Sequence, residues 1–139
     1  MKKSAPMSKL NPNQIEAILD QLKYGRSGLV TVVVQDVANG EVLMVAHANR
    51  EALRRTLETG QVHFWSRSRR KLWRKGETSG HVQNLRELRI DCDGDVVLAK
   101  VEQVGGACHE GYRSCFFRRL EGGGWVVTAE KVFDPGKVY

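Results

Sequence analysis

Two short segments of the chain carry apolar residues at the spacing of an amphipathic helix. The first begins at the Asn11-Pro12 pair, ends by Gly25 and has apolar residues at i, i+3, i+4 and i+7, namely Ile15, Ile18, Leu19 and Leu22. The second is predicted over residues 50–59, where Asn49 suits the amino-terminal cap and Gly60 suits the position just after the helix. This pattern predicts two short helices that each turn one face toward a core.

Apolar and β-branched runs around these helices predict strands. They cover residues 29–35, 41–47, 61–66, 81–90, 96–103, 115–120 and 125–128. Asn39-Gly40 and the glycines at 122–124 are suited to hairpin turns between successive strands. Residues 67–80 are polar, basic and interrupted by glycines, which predicts a long loop with a binding role. The fold class predicted is α+β, with a mostly antiparallel β-sheet and two short helices.

Length and composition favour one compact domain. The chain has 139 residues, of which 41% are hydrophobic and 27% charged, and this suits a single domain over residues 1–139. Residues 1–10 hold three lysines but no apolar stretch behind them, so we expect a flexible tail and no signal peptide. No apolar run approaches the ~18 residues of a membrane span. We therefore expect a cytoplasmic protein.

The formal net charge of +6 favours an anionic ligand. The excess positive charge lies mainly in residues 67–75 and 113–119, where either nucleic acid or a phosphorylated small molecule could bind. Solvated surface charge is the alternative for any single side chain. In the first cluster, Arg67, Arg69 and Lys75 are candidates for phosphate contacts, and Trp73 offers a surface on which a base could stack.

The three cysteines are Cys92, Cys108 and Cys115, and their odd number argues against a framework of disulfides. Three thiolates suit Zn²⁺ and leave the fourth tetrahedral position open to water, as in catalytic zinc sites. Their spacing is not that of a zinc finger. Spacing alone therefore leaves three ordinary core cysteines as an alternative.

Asp91, Asp93 and Asp95 place three carboxylates within five residues. Because like charges repel, a hard cation such as Mg²⁺ or Ca²⁺ is their natural partner, although a solvated acidic turn remains the alternative. If this segment is extended, alternation points Cys92 away from its neighbours, and one segment could serve two metal sites. The histidines nearest this chemistry are His109, which follows Cys108, and His81.

Several linked motifs resemble the phosphoribosyl-AMP cyclohydrolase family. They are, in order, Trp65-Ser66-Arg67-Ser68, the run Leu-Trp-Arg-Lys-Gly-Glu-Thr-Ser-Gly-His at 72–81, Asp91-Cys92-Asp93-Gly94-Asp95, Cys108-His109 and Ser114-Cys115-Phe116-Phe117. The resemblance runs from about residue 30 to residue 117. It is weaker at His47-Ala48, where the family more often has Tyr and Met before the asparagine.

The resemblance implies a hydrolase of histidine biosynthesis. For a substrate such as phosphoribosyl-AMP, our hypothesis is that zinc-bound hydroxide attacks C6 of the purine and that the N1–C6 bond then breaks. The resemblance further implies an intertwined homodimer, with one zinc per subunit held by Cys108 and Cys115 together with Cys92 of the opposite subunit, and Mg²⁺ at Asp91, Asp93 and Asp95. The two phosphates of that substrate agree with the two basic clusters. We expect His109 to transfer the proton, and we expect no nucleic-acid or membrane partner.

Two other functions fit part of this pattern. An RNA-binding module with a structural zinc would use the basic residues 67–75, and it would need a fourth zinc ligand, for which His109 is the only candidate in view. A zinc purine or nucleoside deaminase would also attack C6. It would normally carry a His/Cys-Glu signature together with a Pro-Cys-x-x-Cys run, and this sequence has no such run.

Overall fold

The computed structural model describes residue 7 and residues 9–139, so most of the tail predicted for residues 1–10 lies outside the described residues. The helices are α1 (Pro12–Asp20) and α2 (Arg50–Thr59). The strands are β1 (Val30–Asp36), β2 (Val42–Ala48), β3 (His63–Ser66), β4 (Lys71–Arg74), β5 (Gln83–Ile90), β6 (Val96–Gln103), β7 (Arg118–Glu121) and β8 (Gly124–Val127). A short 3-10 helix, Pro135–Lys137, lies near the carboxyl terminus. The α+β class is confirmed.

The main sheet has four strands in the order β2-β1-β6-β5. The outer pairs, β1 with β2 and β5 with β6, are antiparallel, whereas the central pair β1 and β6 is parallel. The chain leaves this sheet after β2, passes through α2, β3 and β4, and returns as β5. That long excursion lets β6 run parallel to β1, because parallel strands need a crossover and cannot be joined by a hairpin.

One hydrophobic core joins the sheet and both helices. The inward side chains of β1, which are Val30, Val32 and Val34, are almost fully buried and belong to the same cluster as residues of α1 and α2. Asn11 and Asn49 cap these helices through their side chains, and the cap at Asn49 was predicted. No helix in the described part of the chain is long and apolar enough to span a membrane.

Helix α1 ends at Asp20, earlier than the predicted end by Gly25. After the helix, the backbone N–H of Lys23 donates to the carbonyl of Gly94 at 2.8 Å, and the N–H of Gly25 donates to the carbonyl of Leu29 at 2.9 Å. These partners, from the turn between β5 and β6 and from the residue before β1, replace the helical hydrogen bonds. Apolar periodicity alone could not reveal such a competing partner.

The prediction of an unbroken loop over residues 67–80 was wrong, because β4 lies within it. β4 pairs with β3 as a hairpin, in which Phe64 lies opposite Trp73 and their ring centroids are 5.1 Å apart. Arg70, at φ +49°, makes the turn between them. The charged residues that flank Leu72 and Trp73 concealed the short strand pattern.

β7 begins at Arg118, later than the predicted start at residue 115. Cys115 donates its backbone N–H to the carbonyl of Leu43 in β2, at 2.7 Å. The residues before β7 are therefore anchored to the main sheet, and the β7–β8 pair forms a separate two-stranded hairpin.

Candidate active site

The β3–β4 hairpin and the turns after it line a cavity of about 470 Å³. Four of the residues predicted for catalysis or substrate binding line this cavity, namely Arg69, Trp73, Lys75 and His109. Arg67 does not line it; its charge instead acts on His47, whose pKa is lowered first by burial and then by Arg67. The hairpin thus gathers cations, an indole and an imidazole around one opening.

Other residues of the cavity were missed as individual candidates. They are Ser66, Lys71, Arg74, Glu77, Thr78, Ser79 and Tyr139, along with Gly76. Most of them fall within the motif at residues 72–81, so the resemblance marked the segment but not the role of each side chain. Tyr139 carried no signal in the sequence, because only the path of the chain brings the carboxyl terminus to this cavity.

Cys108 and Cys115 lie together at the ends of a closed loop. The loop is held by backbone hydrogen bonds from Cys108 to the carbonyl of Tyr112 at 3.1 Å and from Ala107 to the carbonyl of Arg113 at 2.9 Å. Cys108 is buried, whereas Cys115 is exposed as a residue although its thiol is partly enclosed. Burial of its thiol raises the pKa of Cys115 to about 11, and the hydrogen-bonded Cys108 thiol adds to this rise while Lys75 opposes it.

The same loop is anchored to the β1–β2 hairpin. The Arg113 guanidinium donates to Glu41 at 2.5 Å and also bonds the buried carboxylate of Asp36. Ser114 Oγ donates to the carbonyl of Val42 at 2.7 Å. These contacts join the loop to the β1–β2 hairpin, whose strands contribute to the core, so the positions of the two thiols depend on the main sheet.

These contacts change the interpretation of the basic cluster at residues 113–119. Arg113 is neutralised by two carboxylates, Arg119 pairs with Glu121, and the Arg118 guanidinium lies 5.0 Å from the centroid of the Phe117 ring. None of the residues that line the cavity comes from 113–119. Within one chain, the second basic cluster therefore lies away from the cavity, and its arginines are not placed there to bind the second phosphate of the substrate.

Asp91, Asp93 and Asp95 are exposed and lie in the turn between β5 and β6. Among the residues that the structure describes, they are the only group of three or more potential ligands whose ligand atoms lie within 4.8 Å of one another. Asp91 Oδ1 accepts hydrogen bonds from the backbone N–H of Gly94, Asp95 and Val96, which closes a turn. The segment is therefore not extended, and the argument that alternation separates Cys92 from its neighbours fails.

Cys92 lies exposed in this same turn and does not join Cys108 and Cys115 within one chain, as far as the described residues go. The donor chemistry nevertheless fits zinc, because two soft thiols are already in contact and a third is exposed on the surface. One chain supplies two of the three predicted ligands at one place. The third would have to come from elsewhere.

The two candidate histidines have different surroundings. His109 is exposed and lines the cavity. His81 packs edge-on against Phe133, with ring centroids 4.5 Å apart, and its buried Nδ1 has no hydrogen-bond partner among the described residues. Of the two, His109 is the one that lies where a ligand could reach it.

A cationic cavity beside paired thiols, on an α+β scaffold, is typical of a site for a small anionic ligand. Residues 44–117 match the model of the phosphoribosyl-AMP cyclohydrolase family. A phosphoribosyl-AMP cyclohydrolase of Chromobacterium violaceum is 57% identical over 122 residues, which are 87% of this chain and 92% of the relative. Relatives of the same name in Methanosarcina acetivorans (63% identical; 87% of this chain, 98% of the relative) and Methanosarcina mazei (64%; 85% and 95%) are equally similar.

The chain therefore belongs to the phosphoribosyl-AMP cyclohydrolase family, and the predicted resemblance is confirmed. This is a family of hydrolases in histidine biosynthesis, so the prediction of an enzyme is confirmed as well.

Proposed function

We propose that this chain hydrolyses the N1–C6 bond of the purine ring of phosphoribosyl-AMP, as a step of histidine biosynthesis. The observation that carries the proposal is the cavity at the β3–β4 hairpin, which joins cationic side chains, an indole and His109 beside the Cys108–Cys115 pair. Arg69 and Lys71 would contact phosphate, and Trp73 would stack on the base. Arg67 lies outside this cavity and would contact the substrate only at the edge of the cavity.

The reaction needs a nucleophile at C6 and a proton at N1. Ribosylation at N1 leaves the ring electron-poor, so C6 accepts the oxygen of water, keeps its exocyclic nitrogen and becomes a carboxamide when the N1–C6 bond breaks. His109 would supply the proton that N1 gains. Zinc, when bound by Cys108, Cys115 and a third thiolate, would supply water activated near neutral pH.

The third thiolate would be Cys92 of a second copy of the chain, in a homodimer. This arrangement is supported by Cys92, which forms no common ligand group with the other two thiols among the described residues of one chain. It is also supported by the β7–β8 hairpin, which exposes large apolar side chains, among them Leu120 and Trp125, the latter 73% exposed. Exposed apolar patches of this kind mark interaction surfaces.

Asp91, Asp93 and Asp95, beside Cys92, would hold Mg²⁺.

Mixing two inactive variants tests this shared site. Cys92→Ser subunits retain Cys108 and Cys115, and Cys108→Ser subunits retain Cys92. A heterodimer of the two would regenerate one complete ligand set, so after full exchange we expect roughly a quarter of the wild-type activity on phosphoribosyl-AMP and of the wild-type zinc content.

The matched control mixes Cys108→Ser with Cys115→Ser. Both variants damage the same half of the site, so no heterodimer regains a complete set and no activity should return. Recovery in the control mixture, or none in the first mixture after subunit exchange has been demonstrated, would contradict the shared site. If the wild-type protein turns over phosphoribosyl-AMP at full rate in the presence of a zinc chelator, the proposal that activity requires zinc is contradicted.

The cytoplasmic location and the absence of nucleic-acid and membrane partners stay predictions.

A further inference from the structure

We propose that Lys75 is a positioning residue, which holds the backbone immediately before Cys108 in place for metal binding, and that it is not a phosphate ligand. The inference rests on the zinc site proposed above. The sequence alone suggested that Lys75 contacts a phosphate of the substrate. In the structure its side chain instead has a hydrogen-bond acceptor within the protein, the carbonyl of Ala107.

The Lys75 side chain is buried, with the residue only 7% exposed. Its Nζ donates a hydrogen bond to the carbonyl oxygen of Ala107 at 2.5 Å, and it lies 5.7 Å from the centroid of the Trp73 ring. Lysines are rarely buried unless they are paired. Cys115 and Cys108 lie close enough to interact electrostatically with this ammonium in their thiolate forms.

The position of the Ala107 backbone affects the position of the Cys108 thiol, because Ala107 directly precedes Cys108. Its N–H donates to the carbonyl of Arg113, and its carbonyl accepts from Lys75, so the residue is held from both sides. Gly105 and Gly106 come just before it, and glycine restricts backbone conformation least of all residues. Lys75 thus limits the freedom of the segment that places the first thiol of the loop.

The charge of Lys75 also suits this location. Three thiolates around Zn²⁺ carry a net negative charge, and a buried ammonium nearby offsets it. Groups outside the ligand set that fix or balance metal ligands typically change metal affinity by about 10–100-fold when they are removed. A phosphate ligand, in contrast, needs a cation that solvent and substrate can reach, and Lys71 is exposed and lines the same cavity.

The test compares Lys75→Met with Lys71→Met in the full-length protein. For each variant, zinc affinity is measured by competition with a chromophoric chelator, and alkylation of Cys108 and Cys115 by iodoacetamide is followed by mass spectrometry in the zinc-loaded protein. We expect Lys75→Met to weaken zinc binding by about tenfold or more and to speed alkylation, with KM unchanged once zinc is saturating. Lys71→Met should raise KM and leave zinc affinity unchanged.

Lys75→Arg keeps the charge and the donor, so it should restore part of the zinc affinity that Lys75→Met loses. If Lys75→Met does not fold, Lys75→Gln takes its place and KM decides: its amide can still donate to Ala107 but carries no charge, so we expect most of the zinc affinity to remain and KM to be unchanged. Wild-type zinc affinity together with a raised KM, in Lys75→Met or Lys75→Gln, would overturn the inference and make Lys75 a phosphate ligand. Failure of the proposed function would look different, since the wild-type protein itself would then lack zinc or zinc-dependent turnover.

Discussion

Replacing Asp36 with asparagine is expected to loosen the loop that carries Cys108 and Cys115. The Asp36 carboxylate is the buried anchor of that loop, because it pairs with Arg113 while its Oδ1 accepts from the backbone N–H of Ala38 at 2.7 Å and of Asn39 at 3.2 Å. An asparagine oxygen can still accept those two backbone bonds. Its amide nitrogen cannot accept from the guanidinium, so the substitution removes chiefly the link to Arg113.

The magnitude follows from the burial of the two partners. The side chain of Asp36 is 5% exposed and that of Arg113 is 33% exposed. A hydrogen bond to a charged group contributes about 1.5–3 kcal/mol, and Arg113 keeps solvent and Glu41 as partners, so we expect Asp36→Asn to lower the free energy of unfolding by about 2 kcal/mol. Glu41→Gln breaks the exposed half of the same cluster and should cost less than about 1 kcal/mol.

Urea unfolding followed by tryptophan fluorescence measures both values. The experiments use zinc-free protein at one fixed concentration, because a dimer makes stability depend on concentration. Equal m-values would show that the variants differ in stability and not in the extent of unfolding. Zinc affinity, measured in parallel, should fall in Asp36→Asn and stay near the wild-type value in Glu41→Gln.

The pH dependence gives a second check. Burial alone raises the pKa of Asp36, but the hydrogen bonds from Arg113 and from the backbone of Ala38 and Asn39 outweigh it, so the net pKa lies below its ordinary value. The stabilisation is therefore fully present above the ordinary carboxyl pKa and is lost as pH falls through the lowered pKa of the folded state. The difference between wild type and Asp36→Asn should be constant near neutral pH and shrink in acid.

Two results would refute this reasoning. One is an Asp36→Asn variant that is no less stable than Glu41→Gln, since burial would then not decide the strength of the pair. The other is a stability difference that persists unchanged into strong acid, which would place its origin outside the carboxylate.

Three further outcomes are expected. Asp93→Asn should raise the Mg²⁺ requirement for activity while zinc content stays unchanged, because carboxylates suit the hard ion and thiolates the soft one; loss of zinc on elemental analysis would contradict separate sites. His109→Ala should lower kcat by about 10²–10⁴-fold with zinc content and folding intact, and near wild-type turnover would exclude His109 from proton transfer. Gly76→Ala should destabilise the protein by at least about 1–3 kcal/mol, because Gly76 has φ +86° and an added Cβ would lie 2.5 Å from the Val82 nitrogen; an unchanged urea midpoint would contradict this.

Local signals predicted several elements closely. Helix α2 occupies the predicted residues 50–59, and β6 occupies residues 96–103, because a capping asparagine, a terminal glycine and a short apolar run act over a few residues. β4 was missed because a strand of four residues between charged neighbours leaves too little alternation to recognise. The parallel pairing of β1 with β6 was equally hidden, since no local pattern records which distant strand becomes the neighbour.

The sequence by itself determined the family, the two helices and the chemical types of the candidate ligands, because motif order, periodicity and donor atoms are properties of the linear chain. Tertiary structure alone decided which groups meet. Arg113 pairs with Asp36 across 77 residues, and Lys75 reaches the carbonyl of Ala107 across 32. Both were cations in basic clusters suggested for an anionic ligand, and the fold gives each of them a protein acceptor. Burying a cation is costly without such a partner, so the partner supplied by the fold determines what the cation does.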